Sequence, residues 1–330
     1  MHLEPFELHR PGTVDETLSL AGRLGPAFDY IAGGTDLLPN YKMRLNVRPN
    51  LIALEDVIEL RGIALDRIGA MARLGELESD PEFVSAYPGV AEAVREVATP
   101  LVRASGTVGG NLLVETRCFF FNQSFPWRKS LGFCLKADGD RCHVVPQKEK
   151  CYATFSGDLA PALAVLDAVV EVAGPSGRRT VPVAGMYDAD GDGIRRHLLG
   201  PGELLVAVRL PPEARTLRGT YRKLRIRPSF DFPELGVAVA ARLSSDGQVE
   251  RLAVALGGLE THPRRFDDLT ARLVGEVPTP ERVRELAEAI RQRVRPVHNT
   301  SLAPDYRKKM AGVYVRRAVG DLLGVTGTAG

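Results

Sequence analysis

Residues 28–38 read FDYIAGGTDLL, and residues 103–112 read RASGTVGGNL. Phe28 to Ala32 has the character of a short buried strand, and it runs straight into Gly33 and Gly34. Paired glycines at the end of a strand let backbone N–H groups come close to a phosphate. Alone, the pair reads first as a simple turn. The second stretch is another glycine-rich loop, with the Thr107 hydroxyl and the Asn111 amide set among Gly106, Gly109 and Gly110. It is not G-x-G-x-x-G opening a helix, so the dinucleotide fingerprint of doubly wound sheets is absent. Two such loops about 75 positions apart make a better phosphate cradle than either one alone.

Outward from these loops the chain alternates short strand and helix patterns. Thr13 to Leu24 reads as a helix, with Thr13 as N-cap, Glu16 completing a capping box and Leu18, Leu20 and Leu24 as its stripe. Leu51 to Leu54 and Ile68 to Ala72 read as strands, Leu74 to Leu77 as a helix start, and Pro88 to Val97 as an amphipathic helix. Gly157 to Ala168 reads as a helix whose first turn carries Asp158, favourable for the helix dipole. Val169 to Ala173 and Arg179 to Val183 flank Gly174-Pro-Ser-Gly177 as a hairpin. Beyond it the pattern changes. Leu204 to Leu210, Thr220 to Ile226, Gly236 to Leu243 and Val249 to Leu256 predict an antiparallel sheet of about four strands. Helices follow over 279–294 and 306–323. This succession predicts an α+β chain whose organisation changes between about 180 and 215.

All four cysteines, Cys118, Cys134, Cys142 and Cys151, fall within 34 consecutive positions. That clustering points to disulfides, zinc or an iron–sulfur cluster. No basic and then apolar leader opens the sequence, which points to a cytoplasmic chain with reduced thiols and away from disulfides. The spacing C-x15-C-x7-C-x8-C contains no zinc knuckle and matches neither common ferredoxin pattern. Eight of the 21 aromatics lie between Phe119 and Phe155, Trp127 among them. Between Arg117 and Cys151, seven Lys and Arg stand against three Asp and Glu. An apolar cover and a cationic surplus suit an anionic redox cluster, and they leave zinc open. His143, beside Cys142, is a possible ligand, but four thiolates already complete a site.

The totals exclude several classes. A length of 330 residues allows two or three domains, and 44% apolar with 25% charged residues is ordinary for a globular protein. A net charge of +2 without a basic stripe gives no reason to expect nucleic acid. No run of 18 apolar residues predicts a membrane span.

The motifs Ala32-Gly33-Gly34-Thr35-Asp36-Leu37, Ile68-Gly-Ala, Leu74-Gly-Glu-Leu77, Thr107-Val-Gly-Gly110-Asn111-Leu and Tyr221-Arg-Lys223 with Asp231 follow one order. They resemble the FAD-binding subunits of the xanthine dehydrogenase and carbon monoxide dehydrogenase family. Ser301 to Met310 and Val315-Arg-Arg-Ala resemble that family's C-terminal helix. The resemblance implies two FAD-binding subdomains of the vanillyl-alcohol-oxidase type, over 1–58 and 59–183, and a C-terminal α+β domain over 184–330. It implies FAD contacts from Ala32, Gly33, Gly34, Thr35, Asp36, Leu37, Ala98, Thr107, Gly110, Asn111 and Asp158, and from Lys223, whose alternative reading is a solvated strand lysine.

The long insertion between Asn111 and Asp158, over 117–155, is similar to that of the β subunit of 4-hydroxybenzoyl-CoA reductases. The likeness rests on Arg117-Cys118, Asn122-Gln-Ser124, Trp127-Arg128, Cys134-Leu-Lys136, Gly139-Asp140, Cys142-His-Val144 and Cys151-Tyr-Ala-Thr154. It implies a 4Fe–4S cluster on Cys118, Cys134, Cys142 and Cys151. It also implies a molybdopterin-containing large subunit, a 2Fe–2S small subunit, a dimer of heterotrimers, and ferredoxin as the donor for reductive dehydroxylation to benzoyl-CoA. A second expectation keeps the flavin in an oxidising molybdenum hydroxylase of the xanthine, aldehyde or carbon monoxide dehydrogenase kind, with structural zinc on the cysteines. A third makes the insertion a docking module and leaves the glycine loops empty.

Overall fold

The computed structural model describes residues 3–325. The chain opens with β1 (Glu7–His9), α1 (Val14–Leu24), β2 (Phe28–Ile31), α2 (Leu37–Lys42) and β3 (Asn50–Ala53). These strands form a parallel sheet in the order β1-β3-β2. Parallel neighbours need crossover connections, and α1 supplies the first. Thr13 caps α1 by accepting from the Glu16 amide at 3.1 Å. Only half of the expected capping box forms, because the Glu16 carboxylate takes the Gly12 amide instead.

Next come β4 (Arg67–Gly69), α3 (Leu74–Ser79), α4 (Pro81–Ala86), α5 (Pro88–Arg95), α6 (Pro100–Arg103) and α7 (Val108–Leu112). Asp80 and Thr99 cap α4 and α6 through their side chains, each followed by proline at the first helical position. The insertion carries one short helix, α8 (Phe125–Ser130), and α9 (Leu159–Ala164) follows it. The hairpin β5 (Val169–Gly174) and β6 (Gly177–Pro182) turns at Gly177, whose φ of 99° favours glycine. β7 (Leu204–Arg209) then pairs with both β4 and β5, giving an antiparallel sheet in the order β4-β7-β5-β6.

That pairing corrects the expected membership of Leu204 to Leu210, which lies beyond 183 yet joins the second sheet. The C-terminal sheet is built from β8 (Arg218–Leu224), β9 (Leu235–Leu243), β10 (Val249–Gly257) and the short β11 (Arg264–Arg265), in the order β11-β10-β9-β8. The chain ends with α10 (Asp267–Thr270), α11 (Pro280–Arg293) and α12 (Pro304–Leu323), the last stopped by Gly324 at φ 73°.

Strand alternation sorts the packing of the C-terminal sheet. Ala238, Ala240, Ala253 and Ala255 face the core shared with α5, α7, α9, β5 and β7. Val237, Val239, Leu252, Val254 and Leu256 face α11 and α12 on the other side. The small face lets the glycine-loop half of the molecule approach the sheet closely. The large face fills the space under two long helices, where each fully buried Leu or Val contributes roughly 1.5–3 kcal/mol. Among the described residues, no helix is long and apolar enough to cross a membrane.

Candidate cofactor sites

The two glycine loops meet. A Cβ on Gly33 would lie 1.9 Å from the Ser105 carbonyl oxygen and 3.2 Å from the Gly106 Cα, so the loop after β2 rests on the loop before α7. Gly34 has φ 69°. Thr107 caps α7 by accepting from the Gly110 amide at 3.1 Å. The Val108 and Gly109 amides donate to the Ala72 and Ala70 carbonyls at 3.0 and 2.8 Å, which fixes α7 against β4. Gly110 and Thr35 remain exposed. Asp36 stands at the N-terminus of α2 without capping it. Two sets of glycine-rich backbone therefore lie in contact and partly open to solvent, an arrangement that suits a diphosphate.

Gly33→Ala is expected to cost about 1–3 kcal/mol of stability and to deplete bound flavin, because the added carbon meets backbone that must shift. Gly22→Ala in α1 meets nothing within 4 Å and should leave both unchanged or slightly improved. Thermal melts and the flavin absorbance of the two variants check this.

Asn111 extends the site. Its Oδ1 accepts from the Leu159 amide at 3.0 Å, which brings Asp158 alongside. Asp158 stands at the N-terminus of α9, as the dipole reading expects, but its side chain makes no capping hydrogen bond. Its carboxylate turns sideways and accepts from the Tyr221 hydroxyl at 2.8 Å and the Lys223 ammonium at 3.1 Å. Burial pushes the Asp158 carboxyl upward, against the pull of Lys223 and Tyr221. Lys223 also donates to the Glu96 carbonyl at 2.8 Å and is only 1% exposed, so the solvated-lysine reading is corrected. Ala98, at φ 43°, accepts from the Phe230 amide. Asp231 accepts from the Arg227 amide at 2.8 Å and so closes the turn before it.

The four thiols also meet. Cys118, Cys134, Cys142 and Cys151 are free and buried, and they line one cavity with Phe120, Phe121, Lys136 and His143. Among the described residues, no three His, Cys, Asp or Glu groups close on a single ion. The Phe120 and Ala153 amides donate to the Cys118 and Cys151 sulfurs at 3.4 and 3.3 Å. The His143 Nε2 is engaged with the Phe133 carbonyl at 2.6 Å, so the ring lines the cavity as a supporting group. Burial pushes the Cys118 thiol up to about 11 and the Cys151 thiol up to about 12. A metal held by these thiols would have to displace their protons, so any iron loading of the apoprotein is expected to strengthen as pH rises from 6 to 9. Reconstitution at graded pH, read by bound iron, checks this.

The sequence reading gave no structural role to four groups at the junction, Arg117, Lys136, Glu115 and Arg196. Arg117 forms an ion pair with Asp36 of the first glycine loop, and its guanidinium lies 3.9 Å from the centre of the Phe232 ring. Its backbone pairs with Thr154 in both directions at 2.8 and 2.7 Å, closing the neck of the insertion beside Cys118. Lys136 and Glu115 form a buried pair at 2.7 Å, and Arg196 binds the same carboxylate. Burial would raise the Glu115 carboxyl, but Lys136 and Arg196 overcome it and hold it at about 2. An acid group lowered in the folded state stabilises above its unfolded value near 4.5 and loses that contribution as pH falls toward 2. On this basis Glu115→Gln is expected to flatten the acid limb of the stability curve between pH 4.5 and 2.

Residues 4–213 match the family described as the FAD binding domain in molybdopterin dehydrogenase, and residues 219–322 match the CO dehydrogenase flavoprotein C-terminal domain. The chain is 36% identical over 283 residues to the aldehyde oxidoreductase FAD-binding subunit PaoB of Escherichia coli, covering 82% of this chain and 86% of that one. It is 31% identical over 319 residues to the carbon monoxide dehydrogenase medium chain of Hydrogenophaga pseudoflava, covering 95% of this chain and 96% of that one. Among solved structures, a carbon monoxide dehydrogenase from Hydrogenophaga pseudoflava lacking the Mo-pyranopterin moiety superposes with a TM-score of 0.80 at 29% identity. It covers 98% of this chain and 99% of that one.

Proposed function

We propose, from the premise that this chain belongs to the FAD-binding subunits of the molybdopterin dehydrogenase family, that it carries two redox centres in a molybdenum hydroxylase that oxidises an aldehyde. One centre is FAD, held by residues 32–37, Thr107, Gly110 and Asn111, with Ala98, Asp158 and Lys223 along the same cleft. The other is a 4Fe–4S cluster held by Cys118, Cys134, Cys142 and Cys151. FAD supplies two-electron redox chemistry with single-electron steps, and an iron–sulfur centre supplies single-electron relay. The chain's own residues bind and insulate. The glycine loops offer backbone donors, Asp158 and Lys223 fix the floor of the cleft, and Phe120 and Phe121 cover the thiol cavity.

The observation that carries the two-centre reading is the cavity of four buried thiols joined to the flavin loop through Arg117 and Asp36. Similarity to an aldehyde oxidoreductase subunit favours the oxidising direction. A molybdopterin-containing large subunit and a 2Fe–2S small subunit complete the assembly in this reading, as a dimer of heterotrimers. The insertion keeps a second reading open: a reductase that takes electrons from ferredoxin and removes the ring hydroxyl of 4-hydroxybenzoyl-CoA.

The test is direct. The purified complex is assayed with aromatic and aliphatic aldehydes and an artificial electron acceptor, and separately with reduced ferredoxin and 4-hydroxybenzoyl-CoA. Iron, sulfide, zinc and flavin are counted separately, on this chain purified without its partner subunits. Aldehyde turnover with about four iron and four sulfide on this chain supports the proposal. Zinc without sulfide sinks the second centre, and acyl-CoA reduction without aldehyde turnover moves the assignment to the reductase.

A further inference from the structure

We propose that Lys136 is a positioning residue whose fixed charge sets the reduction potential of the centre held by the four cysteines; this rests on the two-centre reading above. Lys136 lies two positions after Cys134 and lines the thiol cavity. Its side chain is 3% exposed. The ammonium donates to Glu115 Oε1 at 2.7 Å, to the Gly193 carbonyl at 2.6 Å and to Thr116 Oγ1 at 2.5 Å. Thr116 Oγ1 in turn donates to the same Gly193 carbonyl at 2.7 Å. The lysine is therefore held from behind by groups outside the cysteine segment. Arg196 occupies the other Glu115 carboxylate oxygen. Two cations and one anion leave one net positive charge, and Lys136 is the member that lines the cavity, its ammonium 5.1 Å from the centre of the Phe121 ring that lines it too.

Packing alone does not account for this arrangement. A buried ion pair is often no more stabilising than apolar residues of the same volume, so its retention here asks for another role. Thiolate-ligated iron is anionic, and adding one electron makes it more negative by one unit. A nearby fixed cation stabilises the reduced form more than the oxidised one, and weak screening in the interior strengthens the effect. Lys136 therefore raises the potential. Glu115, which partly cancels it, lowers the potential.

The signs make the test. An anaerobic redox titration of the holoenzyme, followed by EPR, compares wild type with Lys136→Met, Lys136→Arg and Glu115→Gln. Lys136→Met is expected to shift the reduction equilibrium about tenfold toward the oxidised form, about 59 mV downward for one electron. Lys136→Arg should recover most of that shift, and Glu115→Gln should move the potential upward. A residue that merely holds the loop would change stability without moving the two potentials in opposite directions. If Lys136→Met does not retain its iron, the Glu115→Gln arm decides. A cluster at full occupancy whose potential is unmoved in the variants, or moves the same way in both, overturns this inference and leaves the functional reading intact. A wild-type chain that carries no iron and sulfide when purified without its partner subunits overturns both.

Discussion

Cys151→Ser is expected to strip at least one iron per chain, and most of the sulfide, from the purified protein while the flavin stays bound. Serine offers a hard, protonated oxygen where the site needs a thiolate, and the other three sulfurs cannot close the cage alone. The flavin is spared because its loops are braced elsewhere, by Thr107, Asn111 and the Ser105 backbone. Structure in the insertion should suffer as well. The segment holds one short helix, and its apolar cluster consists of Cys118, Cys134 and Cys151 with Leu45, Phe121, Ala137 and Ala153. With so little core, a metal bound to the proposed site would supply much of its folding free energy. Limited proteolysis should therefore cut the variant between 118 and 150 long before wild type. His143→Ala is the control, because that ring is bonded to a carbonyl, and it should keep its iron. Equal iron in Cys151→Ser and wild type would remove the cysteines from the metal site.

Lys223→Met is the second large effect. Among the described residues the ammonium is the only side-chain cation on Asp158, and both side chains are buried. Removing one partner of a buried pair costs about 3–5 kcal/mol, since the other charge is left without compensation. The Glu96 carbonyl would also lose a donor, although Arg225 still reaches it at 3.1 Å. Destabilisation should appear in urea unfolding, together with weaker flavin retention. The double variant Lys223→Met with Asp158→Leu should recover much of the loss, because it removes the orphaned carboxyl. A cost under about 1 kcal/mol for the single variant would show that the pair carries little weight.

Short-range signals were the legible ones. The strand leading into Gly33 and Gly34, the hairpin at Gly177 and the Thr13 cap depend on neighbours a few positions away, so the sequence displays them. The sheet to which Leu204–Arg209 belongs was not legible, because its partners β4 and β5 are chosen by burial of distant surfaces. The buried charges were hidden for a related reason. Lys136, Lys223 and Arg307 look like solvated residues in a list of letters, since charge normally stays outside. Their acceptors come from far along the chain: Gly193 for Lys136, Glu96 for Lys223, Gly258 and Glu234 for Arg307. One pattern was visible without its meaning. The alternation of Ala238 and Ala240 with Val237 and Val239 marks a sheet covered on both sides, small residues toward one layer and large ones toward the other.

The backbone of Arg117 and the backbone of Thr154 face each other across the mouth of the insertion. A segment whose two ends touch is topologically a detachable cassette. It can be gained or lost in evolution without re-threading the strands on either side, and only a tight turn is needed to seal the gap. A shortened chain joining Thr116 to Phe155 through two glycines should therefore still fold and turn yellow, as a flavoprotein without the four cysteines.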